Sequence, residues 1–130
     1  MNLVIDTSAI IAVIANEPER QAIVAQAADS GLVAPASVHW EVGNAFSAMF
    51  RRRRITLEQA RLAIRSYERI RIRFMDIDLT HALELSEQLD IYAYDAYVLA
   101  SALNLRLPLL TLDQRLATAA PLIGVRILEV

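Results

Sequence analysis

Residues 2–15 read NLVIDTSAIIAVIA, and the change of rhythm at Asp6 decides the fold. Leu3-Val4-Ile5 is a short, unbroken apolar run of the kind that forms a strand covered on both faces. Residues 2 to 6 are therefore predicted as a strand. Thr7 or Ser8 then caps a short helix to about Ala15, and Pro18 breaks it. A strand that passes directly into a helix begins a strand–helix–strand unit, and an acid stands at the junction.

The same alternation continues outward. A second helix is predicted over roughly 18 to 29, stopping near Gly31, followed by a short strand from Leu32 to Pro35. Ser37 caps a helix whose apolar positions 38, 42, 45, 46 and 49 keep a 3.6-residue period. Thr56-Leu57-Glu58-Gln59 fits a capping box and opens a helix with Ala60, Ala63, Ile64, Tyr67 and Ile70 facing inward. Phe74 to Ile77 reads as a strand, Thr80 to Leu89 and Tyr94 to Leu105 as helices, and 107 to 112 as a buried strand. A short helix over 113 to 120 and a last strand from Val125 to Leu128 complete the chain. Strands alternating with helices predict an α/β fold with a mostly parallel central sheet. With no repeat, linker or low-complexity tract, residues 1–130 read as one domain.

Composition removes several chemistries. There is no cysteine, so disulfides, thiolate metal sites and Cys nucleophiles are excluded. All 13 basic residues are Arg, which excludes a P-loop lysine and Schiff-base catalysis. No apolar span reaches membrane length and no basic region precedes the first apolar run, so the expected location is the cytoplasm, away from any membrane. The 55 % hydrophobic content leaves apolar surface for a partner or a second copy. Charge is segregated: residues 51 to 73 carry +7 and the remainder −9. A basic segment on an acidic body attracts a polyanion towards a site that also takes cations.

Four acids lie where burial is expected. Asp6 and Asp113 end apolar strands; Glu41 shares a helix face with Val38, Val42 and Ala45; Asp95 shares one with Val98, Leu99 and Ala102. A charge beside a core costs several kcal/mol unless it is paired or bound to a metal (about 1–5 kcal/mol in typical cases). Asp6, Asp95 and Asp113 each also read as helix caps, but Glu41 lies inside its helix. In an open parallel sheet, ligands bind beyond the carboxyl ends of the strands, and Asp6 and Asp113 both stand there. Carboxylates without His or Cys suit hard octahedral Mg2+ or Mn2+ rather than zinc.

Other residues carry weaker signals, each with a plain structural alternative. Ser8 and Thr111 lie two residues from an acid, placed to orient a carboxylate or water from behind, or simply to cap and pack. Asn44, one turn after Glu41, either contacts the site or satisfies loop backbone. Arg51, Arg52, Arg53 and Arg54 end a helix, where cations favour the dipole. Arg61, Arg65, Arg69 and Arg73 recur every four residues as a stripe along one helix face, suited to phosphate contacts. His39 and His81 fit no metal-ligand spacing. Trp40 and tyrosines 92, 94 and 97 read as packing, with Tyr92 or Tyr94 at a site rim as alternative stacking platforms.

Asp6-Thr7-Ser8-Ala9, Glu41 with Asn44, Tyr94-Asp95-Ala96-Tyr97 with Ala100, and Thr111-Leu112-Asp113 together resemble the PIN-domain nucleases. More narrowly they resemble the VapC-type toxins of toxin–antitoxin pairs, from residue 2 to about 128. The resemblance implies a three-layer α/β/α domain that cleaves RNA with Mg2+ or Mn2+ on Asp6, Glu41, Asp95 and Asp113. It also implies a cognate antitoxin laid over a hydrophobic groove, and a homodimer or toxin–antitoxin hetero-oligomer. Two rivals come from other classes. A phosphorelay receiver domain needs a lysine this chain lacks, and a non-catalytic binding module of the same fold would not need all four acids.

Overall fold

The computed structural model describes residues 1–130. In chain order the elements are β1 (Asn2–Ile5), α1 (Thr7–Ile14), α2 (Arg20–Ala27), β2 (Gly31–Pro35), α3 (Ser37–Arg51), α4 (Leu57–Glu68), β3 (Ile72–Met75), α5 (Leu79–Leu89), α6 (Ala93–Leu105), β4 (Leu109–Leu110) and α7 (Gln114–Ala119). A 3-10 turn over Ala120–Ile123 follows α7. The strands form one sheet in the order β3-β2-β1-β4. Every pairing is parallel, with Leu3 opposite Leu32, Val4 between Val33 and Leu109, and Ile5 opposite Leu110.

Leu3, Val4 and Ile5 are all buried, although alternate residues of a strand point to opposite faces. Both faces of β1 are therefore covered, as the apolar run requires. α6 packs on β1 and β2 with α5 against it, while α1 packs with α2, α3 and α4. The result is a three-layer α/β/α architecture. Small residues let α5 and α6 approach closely, through Ala82, Leu85, Ala96 and Ala100. The capping box at Thr56 forms: Gln59 N–H donates to Thr56 Oγ1 and Thr56 N–H to Gln59 Oε1. No helix is long and apolar enough to cross a membrane.

Several boundaries differ from the sequence reading, each for a physical reason. β3 spans Ile72–Met75 rather than 74 to 77; as an edge strand it tolerates exposed Arg73 in place of an apolar alternation. β4 keeps only Leu109–Leu110 of the predicted 107 to 112, since Pro108 has no N–H to give and Thr111 turns towards Asp6. The predicted last strand, 125 to 128, is a single bridge from Ile127 to Leu109. Val125 and Leu128 are buried and Ile127 is half-buried, but the chain leaves the sheet at once. α2 is shorter than predicted, at Arg20–Ala27. Neither Thr7 nor Ser8 caps α1; Asp6 does, accepting from Ala9 N–H. Ser37 is the first residue of α3 and gives no cap bond, the N-cap being Ala36.

The order β3-β2-β1-β4 sends the chain from β1 to one side twice and then returns it to the other side as β4. The switch of direction lies between β1 and β4. In open parallel sheets a crevice forms there, beyond the carboxyl ends of the strands.

Candidate active site

Asp6 stands at that crevice as the residue after β1 and the N-cap of α1. Asp113 stands across it as the N-cap of α7, accepting from Arg115 and Leu116 N–H. Asp95 lies in the first turn of α6, where the helix dipole favours an anion. It is not the cap of that helix; Tyr92 is, and its side chain makes no cap bond. Glu41 lies one turn inside α3, half-buried.

Asp6 is held by a directed network. Ser8 Oγ donates to the Asp6 carboxylate at 2.7 and 2.9 Å, and Thr111 Oγ1 donates to Asp6 Oδ2 at 2.6 Å. Each hydroxyl has its accepting side filled by backbone. Leu112 N–H donates to Ser8 Oγ at 2.9 Å and Asp113 N–H to Thr111 Oγ1 at 3.0 Å. With those donors in place, the hydroxyl protons point at Asp6, and the segment 111–113 straps the crevice shut behind it. Ser8 has one proton for two oxygens, so Asp6 keeps an open lone pair. Thr7 Oγ1 fixes the other acid, donating to Glu41 Oε1 at 3.3 Å.

The electrostatics link all four acids. Burial, with Asp6 only 4 % exposed, pushes its carboxyl up to about 6 against the pull of its hydroxyl and N–H donors. The Asp113 charge adds to the rise. Glu41 is raised by burial, and further by Asp6 and Asp95; Ser37 and Thr7 oppose this. Asp95 is raised by burial and then by Asp113, while Arg115 lowers it. Asp113 thus acts on both Asp6 and Asp95, and those two act on Glu41. Ser37 Oγ lies near enough to favour ionised Glu41, yet neither Ser37 Oγ nor Glu41 Oε2 completes a hydrogen bond, and both are buried. Glu41 Oε2 is thus unpartnered.

No basic side chain resolves this charge, because the only ion pair in the chain is Arg61 with Glu58 on the surface of α4. A divalent cation would. The donors are carboxylate and hydroxyl oxygens alone, the set hard cations prefer, and the buried, unpartnered Glu41 Oε2 is where such a ligand is missing. No three of the acids are drawn together tightly enough to enclose an ion by themselves.

The remaining predicted residues lie elsewhere. Asn44 is exposed on α3, outside the bonded network. The clustered arginines are exposed and do not border the cleft at Asp95 and Asp113. Arg51 is about 15 Å along α3 from Glu41, at 1.5 Å per residue. Arg54 borders a depression with Ile14 and Glu17, at the end of α1 remote from Asp6, and Arg69 borders another there. The predicted stripe is also broken: α4 ends at Glu68, so Arg69 is its C-cap and Arg73 lies in β3. Trp40, expected to pack, is 73 % exposed. Three contributors were missed from sequence: Thr7, Ser37 and Arg115. Each had a visible signal: Thr7 and Arg115 lie within two residues of an acid, and Ser37 lies one turn before Glu41 on α3.

Against known proteins, the PIN domain family matches residues 3–121. Among solved structures, the chain is similar to PAE2754 from Pyrobaculum aerophilum, described as "Crystal structure of PAE2754 from Pyrobaculum aerophilum". The TM-score is 0.74 at 19% sequence identity, over 98% of this chain and 83% of that one. At that identity the likeness is one of fold. No curated protein matches in sequence.

Proposed function

The chain belongs to the PIN domain family, and on that premise we propose that it is a Mg2+- or Mn2+-dependent endoribonuclease, the toxin of a toxin–antitoxin pair. PIN domains are generally nucleases and typically use divalent metal ions. The observation that carries the reading is the gathering of Asp6, Glu41, Asp95 and Asp113 at the sheet's switch point, the first three raised by burial and by neighbouring acids, with Glu41 Oε2 buried and unpartnered.

Asp6, Asp95 and Asp113 would hold the ion directly or through water, with Glu41 completing the set or positioning the attacking water. When bound, the ion supplies countercharge for the phosphodiester oxygens and makes a nearby water more acidic. The chain's own part is positioning and proton transfer. Ser8 and Thr111 lock Asp6 in one orientation, and Thr7 does the same for one oxygen of Glu41. The half-buried Glu41 carboxylate accepts a proton from the attacking water; burial raises its basicity for that task. Water adds to phosphorus in line, the bond to O3′ breaks, and O3′ takes a proton from solvent. The products are a 5′-phosphate and a 3′-hydroxyl.

Partner surface supports the toxin reading. A depression of about 410 Å3 between the end of α1, α3 and α4 is lined by Ile14, Met49, Ile55 and Leu62, with Glu17 and Arg54 at its edge. It suits an amphipathic segment of a cognate antitoxin. The exposed arginines of 51 to 73, remote from the cleft, are assigned to the RNA backbone beyond the cut. A homodimer or hetero-oligomer with antitoxin, in the cytoplasm, completes the proposal.

The test is cleavage of a structured RNA pool by purified chain, with Mg2+ or Mn2+ against EDTA, beside an Asp6→Asn/Asp95→Asn variant. Metal-dependent cuts absent from the variant support the nuclease. No cuts across a broad pool would favour a binding module of the same fold.

A further inference from the structure

The cleft beside the acids has two lobes that share Tyr92, Asp95, Gln114 and Arg115. The smaller, about 490 Å3, also borders Tyr94 and Asp113. The larger, about 710 Å3, is lined on its apolar side by Leu89, Ile91 and Leu122. Three side chains at this cleft are not explained by the fold. Tyr92 occupies the N-cap of α6, where Ser, Thr, Asn or Asp would bond the helix end. It makes no such bond and leaves its ring 74 % exposed. Tyr94 is 53 % exposed and is braced edge-on by Tyr97 at 6.0 Å between ring centroids. Arg115 is exposed and reaches no carboxylate as an ion pair, although Asp95 feels its charge. Its backbone is fixed, because Arg115 N–H is held by Asp113 Oδ1 at 2.8 Å.

Two exposed aromatic rings and an unpaired guanidinium fit one chemistry better than their alternatives. An apolar protein segment would use the rings but leave Arg115 idle. A bare phosphate would use Arg115 but not the rings. A nucleotide uses both: every base has a face that stacks on an aromatic ring, whatever its sequence, and the guanidinium fork matches phosphate oxygens. A base can offer that face only when it is out of a duplex stack.

We infer that Tyr92, Tyr94 and Arg115 form a subsite for one unpaired nucleotide beside the reacting phosphodiester, the rings stacking its base and the guanidinium holding its phosphate. For its position next to a reaction this rests on the nuclease reading, but the binding it requires does not. Arg115 also offsets the repulsion that four acids exert on an incoming polyanion.

The test is binding, read without cleavage. A short single-stranded RNA carrying 2-aminopurine, whose emission is quenched on stacking, is titrated with the full chain in EDTA at low salt. Quenching is expected on binding. Tyr92→Ala/Tyr94→Ala should bind roughly 5- to 100-fold more weakly, while Tyr92→Phe keeps both affinity and quenching. Arg115→Gln should flatten the slope of log affinity against log salt by about 0.7. The same RNA annealed to its complement should neither quench nor compete. All three side chains are exposed, so circular dichroism should be unchanged. The inference is overturned if wild type gives no quenching, if the double Ala variant binds like wild type, or if duplex competes equally. Quenching without metal-dependent cleavage would instead remove the nuclease reading and leave the subsite standing.

Discussion

Asp6 is where one residue most affects the whole. Its folded value, about 6, lies above the ordinary 3.8, so ionising it costs the fold about 3 kcal/mol. For an acid raised on folding, stability is full below the ordinary value and is lost as pH rises towards the folded one. Metal-free chain should therefore lose stability between about pH 4 and pH 6, and Glu41 and Asp95, both raised, act in the same direction. Urea unfolding in EDTA measures this; Asp6→Asn should flatten the profile and be the more stable protein at pH 7. A wild-type profile that climbs across this window, or one that Asp6→Asn leaves unaltered, would contradict the assignment. Thr111→Val removes the 2.6 Å donor to Asp6 and orphans Asp113 N–H. It should weaken metal affinity by roughly 10- to 100-fold and stability by about 1.5–3 kcal/mol, both measurable by calorimetry. The four acids were legible in sequence because each interrupts an apolar run or face. The pairing of Thr7 with Glu41 was not, since the fold brings that carboxylate beside it from 34 residues away.

At the level of elements, the boundaries set by local chemistry were legible and those set by neighbours were not. The Thr56 capping box needs only its own four residues, and it forms as read. Thr56→Ala should cost about 1 kcal/mol and lower the urea midpoint without changing cleavage. β3 and β4, by contrast, take their limits from the strands beside them. The Arg stripe failed for a related reason: a four-residue period was extended past Glu68 into a turn and a strand. Arg61 and Arg65 remain on α4, exposed. Charge reversal at both should weaken RNA binding about equally for all sequences and reduce its salt dependence, with the cut positions unchanged. If the cuts move while affinity holds, these arginines select the target instead of tracking its backbone.

Over the whole molecule, the parallel sheet and its switch between β1 and β4 bring to one crevice acids that are 107 residues apart in sequence, from Asp6 to Asp113. The alternation of strands and helices made that convergence readable in outline. It did not reveal that the basic segment would lie away from the acids, because the direction in which α3 and α4 carry those arginines is a matter of packing, not composition. The acids repel one another without a counter-ion, so a divalent cation should raise the melting temperature at pH 7.5, and Asp95→Asn should diminish the gain. The nuclease reading requires that the acids share a cation. The most direct measurement is a Mn2+ titration at pH 7.5, followed by the loss of the free-ion electron paramagnetic resonance signal. The account predicts saturable binding by the wild type, and little or none by Asp6→Asn/Asp95→Asn under the same conditions. Binding that is absent from the wild type, or undiminished in the double variant, would contradict it.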